Sequence, residues 1–244
     1  MYRRLLCLLA ANLTLLPAMA STMIAGGKVV VISDEIAKTQ VLLQTYDKDG
    51  AAYTCGATII SPNMVLTARH CFNDMTSAEL VFNVNRNKSN RTQYRQGTSI
   101  IAEPSNQIDL AIMKFSGKLP KDYKIALLGE SGIRMQNGLP ATAAGYAATK
   151  TNGTDSGILR KIDVLVTEFN QTKIVFPGPA SPKTTPGSRG LIQGDSGGAL
   201  FAKDSEGNLR VIGINYEANY GYKAAVSVRV KAFLPWIKRV ISEN

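Results

Sequence analysis

From Val29 to Val230 the chain repeats one pattern, a short run rich in β-branched residues followed by turn residues. A run this short buries its apolar side only by pairing with neighbours, which confines the chain to sheets. Val29–Ile32, Val41–Thr45, Thr54–Ile60, Met64–Thr67, Leu80–Asn85, Thr98–Ala102 and Leu110–Phe115 have strand length, with Asp49-Gly50 and Ser61-Pro62-Asn63 as turns. Thr142–Ala147, Ile162–Glu168, Gly198–Ala202, Leu209–Ile214 and Ala224–Val230 form a second series, with a hairpin turn over Asp204–Asn208. Ser116–Lys124, carrying Gly117, Pro120 and three lysines, separates the two series as a linker. Only the last segment changes period. Phe233, Trp236, Ile237, Val240 and Ile241 recur at three- and four-residue steps, which predicts an amphipathic helix over about 231–242 with Pro235 in its first turn. The expected fold is all-β: two antiparallel six-stranded β-barrels, over about 24–118 and about 125–230, closed by that helix. Periodicity alone also permits a single large sandwich.

Hydrophobic residues make up 45% of the 244, enough for packed cores and too many for a disordered chain. One long apolar run exists, Leu5–Leu16, preceded by Arg3 and Arg4 and followed by Pro17-Ala18-Met19-Ala20. The charged start, apolar middle and small-x-small end predict a signal peptide over 1–20. Its roughly 12 apolar residues are too few to span a bilayer, so no transmembrane anchor is expected. The arginine pair matches twin-arginine export only in part, and the general secretory route is the expectation. Either route makes the protein secreted, extracellular or, in a Gram-negative host, periplasmic.

The formal net charge is +10, of which the signal peptide holds two arginines. A basic secreted protein favours anionic surfaces or glycans. The densest cluster, Arg86, Lys88, Arg91 and Arg95 around Tyr94, is bounded by polar residues and lacks a helical stripe. It reads as a solvated loop, not as a specific nucleic-acid site. The chain without its signal keeps Cys55 and Cys71, an even pair in an oxidising destination. A disulfide between them would contribute about 3 kcal/mol in the chain-entropy model. With one histidine in the chain, a zinc ligand set falls short, and neither metal nor organic cofactor is expected. A monomer is expected.

Three local patterns carry chemistry. In Gln193-Gly194-Asp195-Ser196-Gly197-Gly198, glycines on both sides let the backbone approach a substrate and expose Ser196 as a nucleophile. The same residues also suit a polar turn. In Leu66-Thr67-Ala68-Arg69-His70-Cys71, the only histidine follows an apolar strand and adjoins a cysteine. In Ile108-Asp109-Leu110-Ala111-Ile112-Met113, an acid enters an apolar run, where burial is costly without a hydrogen-bond donor. An imidazole N–H is such a donor.

Together these motifs, in the order His, Asp, Ser, resemble those of the chymotrypsin-like (trypsin-like) serine peptidase family. The resemblance runs from about Ile24 to the C-terminal helix and implies the chymotrypsin fold and a secreted endopeptidase acting on proteins or peptides. It implies His70, Asp109 and Ser196 as catalytic triad, and the N–H groups of Gly194 and Ser196 as oxyanion hole. Cys55 and Cys71 resemble the family's disulfide around the histidine loop. Ile24-Ala25-Gly26-Gly27 resembles an activated N-terminus whose freed amine pairs with Asp195, making residues 21–23 a short propeptide. Met23 at that cut is not the basic residue of a trypsin-activated zymogen. The resemblance places Gly190, Tyr216 and Ala225 at the specificity pocket. Gly190 stands where trypsin has its acidic base, so Lys/Arg preference is not supported and a small or apolar side chain is expected, with Glu217 opposing it. Two alternatives stay open: a catalytically silent binding protein on the same fold, or a secreted esterase or amidase using the same triad.

Overall fold

The computed structural model describes residues 27–149, 154–178, 191–220 and 222–244. Along the chain run β1 (Lys28–Val29), β2 (Gln40–Asp47), β3 (Ala52–Ser61), β4 (Met64–Thr67), β5 (Met75–Val81), β6 (Tyr94–Ala102) and β7 (Ala111–Phe115). There follow β8 (Leu127–Leu128), β9 (Pro140–Gly145), β10 (Arg160–Leu165), β11 (Glu168–Phe169) and β12 (Lys173–Pro177). The chain ends with β13 (Ala199–Lys203), β14 (Leu209–Asn219), β15 (Ala224–Arg229) and the helix α1 (Val230–Glu243).

Strands β2–β7 close a six-stranded barrel in the order β2-β3-β4-β7-β6-β5. Its strands alternate between two apolar faces. Val41, Leu43, Ala57, Ile59, Val65, Leu80 and Met113 point into the barrel with Phe82 and Phe115, while Leu42, Ile60, Leu66, Val81 and Ile112 join a second cluster outside it. That second cluster also holds Tyr146, Leu159, Ala199, Phe201, Val211 and Ile214 from the other half, and Trp236, Ile237 and Val240 of α1. Apolar residues on both faces explain why these strands read as nearly continuous hydrophobic runs.

For the second half a closed barrel is not shown. Among the described residues it is a nine-stranded sheet ordered β1-β10-β9-β13-β14-β15-β12-β11, with β8 added in parallel to β14. The two-residue strands β1 and β11 end the series, so the described pairing does not return to its start. Beside β9 and β10 an apolar cavity of about 680 Å³ opens, lined by Leu139, Ile162, Val164, Leu165, Pro177 and Phe201. β1 precedes the barrel in sequence yet pairs with β10 of this sheet, tying the two units together. The turn after β13 forms as its sequence predicts: Asp204 Oδ1 accepts from Glu206 and Asn208 N–H groups. Helix α1 starts at Val230, one residue ahead of the expected start, and Pro235 lies beyond the first turn counted from either residue. The segment 1–26, with the expected signal peptide, the expected propeptide and Ile24, lies outside the described residues, as does Gly190.

Candidate active site

His70 sits in a 3-10 turn, Arg69–Phe72, that follows β4 directly. Asp109 lies just ahead of β7, the strand paired with β4, so the register of one ladder brings the two together (Thr67 faces Ala111). Asp109 holds the histidine twice. Its Oδ1 accepts the main-chain N–H of His70 at 2.8 Å, and its Oδ2 lies 2.5 Å from Nδ1. A carboxylate at Nδ1 makes that nitrogen the protonated one and leaves Nε2 with a free lone pair. Arg69 steadies the approach by donating to Asn106 Oδ1 at 2.7 Å.

Behind the histidine, Cys55 and Cys71 form a disulfide between β3 and this turn. Their sulfurs and His70 lie within 4.8 Å of one another, a cluster that would resemble a metal-ligand set if the thiols were free. The bond engages both sulfurs, which leaves neither as a thiolate ligand.

Ser196 reaches this site from the other unit. The loop 191–198 precedes β13, and the Gly56 N–H of β3 donates to the Ser196 carbonyl at 2.7 Å. Gly197, at φ +76°, lies so close to the end of β4 that a Cβ would stand 2.1 Å from Thr67 Oγ1 and 2.2 Å from the Gly56 carbonyl oxygen. Only glycine fits there, and the contact sets Ser196 against the strand end that leads into His70. A bond between the Ser196 hydroxyl and His70 is not formed among the described residues; such bonds often tighten only with substrate. Within the loop the N–H groups of Asp195, Gly197 and Gly198 have main-chain acceptors, whereas those of Gly194 and Ser196 have none among the described residues. Two neighbouring donors are therefore left for an external oxygen.

Asp195 is fully buried. Its Oδ1 accepts from Ala147 N–H and its Oδ2 from Ile192 N–H, each at 3.0 Å. Burial pushes its carboxyl up to about 6, against the two N–H bonds and the Arg160 charge, which favour the carboxylate. Gly145 packs against it so tightly that a Cβ would lie 2.2 Å from Oδ1.

Beside Ser196 opens a cavity of about 280 Å³, lined by Leu191, Ile192, Gln193, Tyr216, Ala218 and Tyr220, together with Asn215 and Glu217. Tyr216 lines it, lifted out by an irregularity between Asn215 and Glu217 where β14 meets β15. Ala225 does not. It is buried among Ala143, Phe176 and Leu200, and the residue facing it across the ladder, Ala218, takes the lining position. The signal for Ala218 lies in that register, which no single motif discloses. Asn215 turns inward, donating to the Ala144 carbonyl and accepting from Ser227 Oγ.

The basic cluster is folded onto its own backbone. Arg95 donates to the carbonyls of Lys118, Thr92 and Tyr94, and Arg91 lies over the Tyr94 ring.

A closed barrel set beside a second sheet, with a His–Asp pair on one and a glycine-bounded serine arriving from the other, is the architecture of the chymotrypsin-like serine peptidases. The trypsin family model matches residues 25–237, and the chain belongs to that family. It is 28% identical over 244 residues to chymotrypsin-like elastase family member 1 of Bos taurus, covering 91% of this chain and 90% of the relative. To the rat (Rattus norvegicus) protein of the same name it is 29% identical over 226 residues, covering 84% and 85%. To chymotrypsin-like elastase family member 3A of Homo sapiens it is 28% identical over 233 residues, covering 84% of each chain.

Proposed function

We propose that this serine protease is a secreted endopeptidase that cleaves peptide bonds through an acyl-enzyme on Ser196. His70 Nε2 takes the Ser196 proton as the hydroxyl oxygen attacks the scissile carbonyl carbon, and the carbonyl becomes an oxyanion. The Gly194 and Ser196 N–H groups receive that oxygen. His70 then returns the proton to the leaving amine, and a water molecule repeats the sequence to release the acid. Asp109 keeps Nδ1 protonated and stabilises the imidazolium. The observation that carries this reading is the double hold of Asp109 on His70, which leaves Nε2 as the base.

Activation belongs to the same reading. Cleavage before Ile24 frees an amine that pairs with Asp195, and residues 21–23 act as propeptide after signal removal. Leu191, Ile192 and Ala218 give the pocket an apolar wall, which supports a small or apolar preferred side chain. The Cys55–Cys71 bond fits an oxidising, extracytosolic destination, and no described helix is long and apolar enough to cross a membrane.

A panel of chromogenic peptides and short-chain esters tests this. Ala, Val or Leu at the cleaved position should give kcat/KM at least about tenfold above Lys or Arg, a difference of roughly 1.4 kcal/mol in transition-state binding. Turnover of esters with no peptide or casein cleavage would instead assign an esterase.

A further inference from the structure

Arg160 is a buried cation that the catalytic scheme does not use. It starts β10 opposite Gly145, and only 4% of its surface is exposed. One terminal guanidinium nitrogen donates to the carbonyls of Ala147, Asp155 and Ile158 and the other to Asp155 Oδ2 at 2.9 Å, while the buried Nε has no partner among the described residues. Asp155 is fixed in turn by Thr149, whose main-chain N–H donates to Oδ1 at 2.9 Å and whose hydroxyl donates to Oδ2. Ala147 is the hinge of this arrangement. Its carbonyl accepts from Arg160 at 3.2 Å while its N–H donates to Asp195 at 3.0 Å. Burying a guanidinium is costly without such partners.

We propose that Arg160 is a positioning residue for the oxyanion loop, holding the Asp195 carboxylate through Ala147 and supporting its charge from within the protein. The proposal rests on the reading of Ser196 as nucleophile with Gly194 and Ser196 as its oxyanion donors. Asp195 sits between those two donors in sequence. Its charged form accepts from Ala147 and Ile192 at once, and these two bonds fix the loop's backbone. Protonation turns one oxygen into a donor facing an N–H, so the loop loses one of its two anchors. Arg160 favours the accepting form, by its charge and by holding the carbonyl of Ala147, the residue whose N–H Asp195 uses. Tyr220 also faces Asp195, and the freed Ile24 amine would add a second cation.

Arg160→Gln and Arg160→Lys in the secreted enzyme test this, with thermal unfolding recorded for each. Arg160→Gln removes the charge and should lower kcat on the order of tenfold near neutral pH, with KM little changed, because the defect lies in transition-state donors. Its acid limb should move to higher pH, and Arg160→Lys should restore most of that shift. Serine-directed phosphonate labelling of wild type at Ser196 separates the two claims: no labelling there would overturn the nucleophile reading itself. Labelling at Ser196 with a folded Arg160→Gln that keeps wild-type kcat and acid limb would overturn the role of Arg160 alone. If Arg160→Gln does not fold, Asp195→Asn is added to it. Recovery of folding in the double variant shows that Arg160 acts on the Asp195 charge, and a double variant that stays unfolded shows that it does not.

Discussion

In the proposed activation, Asp195 would couple folding to the freeing of Ile24. Its carboxyl titrates near 6 in the folded protein against about 3.8 unfolded, because it is buried without a full counter-charge. The folded state therefore holds this proton more tightly, and stability falls as pH rises from about 4 to about 6. The cost of the charged form is of order 3 kcal/mol at neutral pH. Asp195→Asn cannot ionise and escapes that loss. In a chain that still carries the residues before Ile24, the melting temperature of Asp195→Asn relative to wild type should rise across pH 4 to 6 and then level off. A flat difference across that window would mean that Asp195 is not a buried charge in the folded precursor.

Among the elements, α1 lies within one residue at each end of the span its sequence predicts. Its apolar stripe is legible, and Trp236, Ile237 and Val240 are buried as the spacing implies. What the sequence does not mark is a cap, because Val230 enters the helix directly from β15, with no side-chain hydrogen bond at the boundary. Pro235 thus lies inside the helix and lacks the N–H that would bond the Lys231 carbonyl. Pro235→Ala should raise stability by about 1 to 3 kcal/mol, read as a higher melting temperature with unchanged activity. A lower melting temperature would show that the proline is held by its packing and not merely tolerated. Strands divide the same way. Met64–Thr67 is bounded by Ser61-Pro62-Asn63 and has the bounds its sequence suggests, whereas Lys173–Pro177 escapes a sequence reading. Only Ile174, Val175 and Phe176 are apolar there, and that strand owes its existence to pairing with β15.

At the scale of the molecule, the proposed site is built across the seam between two units. His70 and Asp109 come from the barrel, Ser196 from the sheet, and Gly56 and Gly197 join them at backbone distance. The three motifs are legible because each carries its chemistry within a few consecutive residues. Arg160 is not, since its meaning depends on β10 lying beside β9 and on Ala147 standing beyond Gly145. Nor is the order of pairing in the second sheet, which is a matter of which edges meet. The proposed activation also acts at this scale. Sequencing of active protein should begin Ile-Ala-Gly-Gly, and the cleaved form should melt higher at neutral pH than the precursor, because the amine offsets the buried charge. Full activity from a chain beginning Ser21-Thr22-Met23 would contradict that switch. The central claim is that Ser196, activated by His70, is the nucleophile. Its most direct measurement is labelling of the secreted protein by a fluorophosphonate, with the modified residue mapped by mass spectrometry. The account predicts one label per molecule, on Ser196, absent in Ser196→Ala and slowed by a factor of about 10³ or more in His70→Ala. A label that persists in Ser196→Ala, or forms at the wild-type rate without His70, would contradict it.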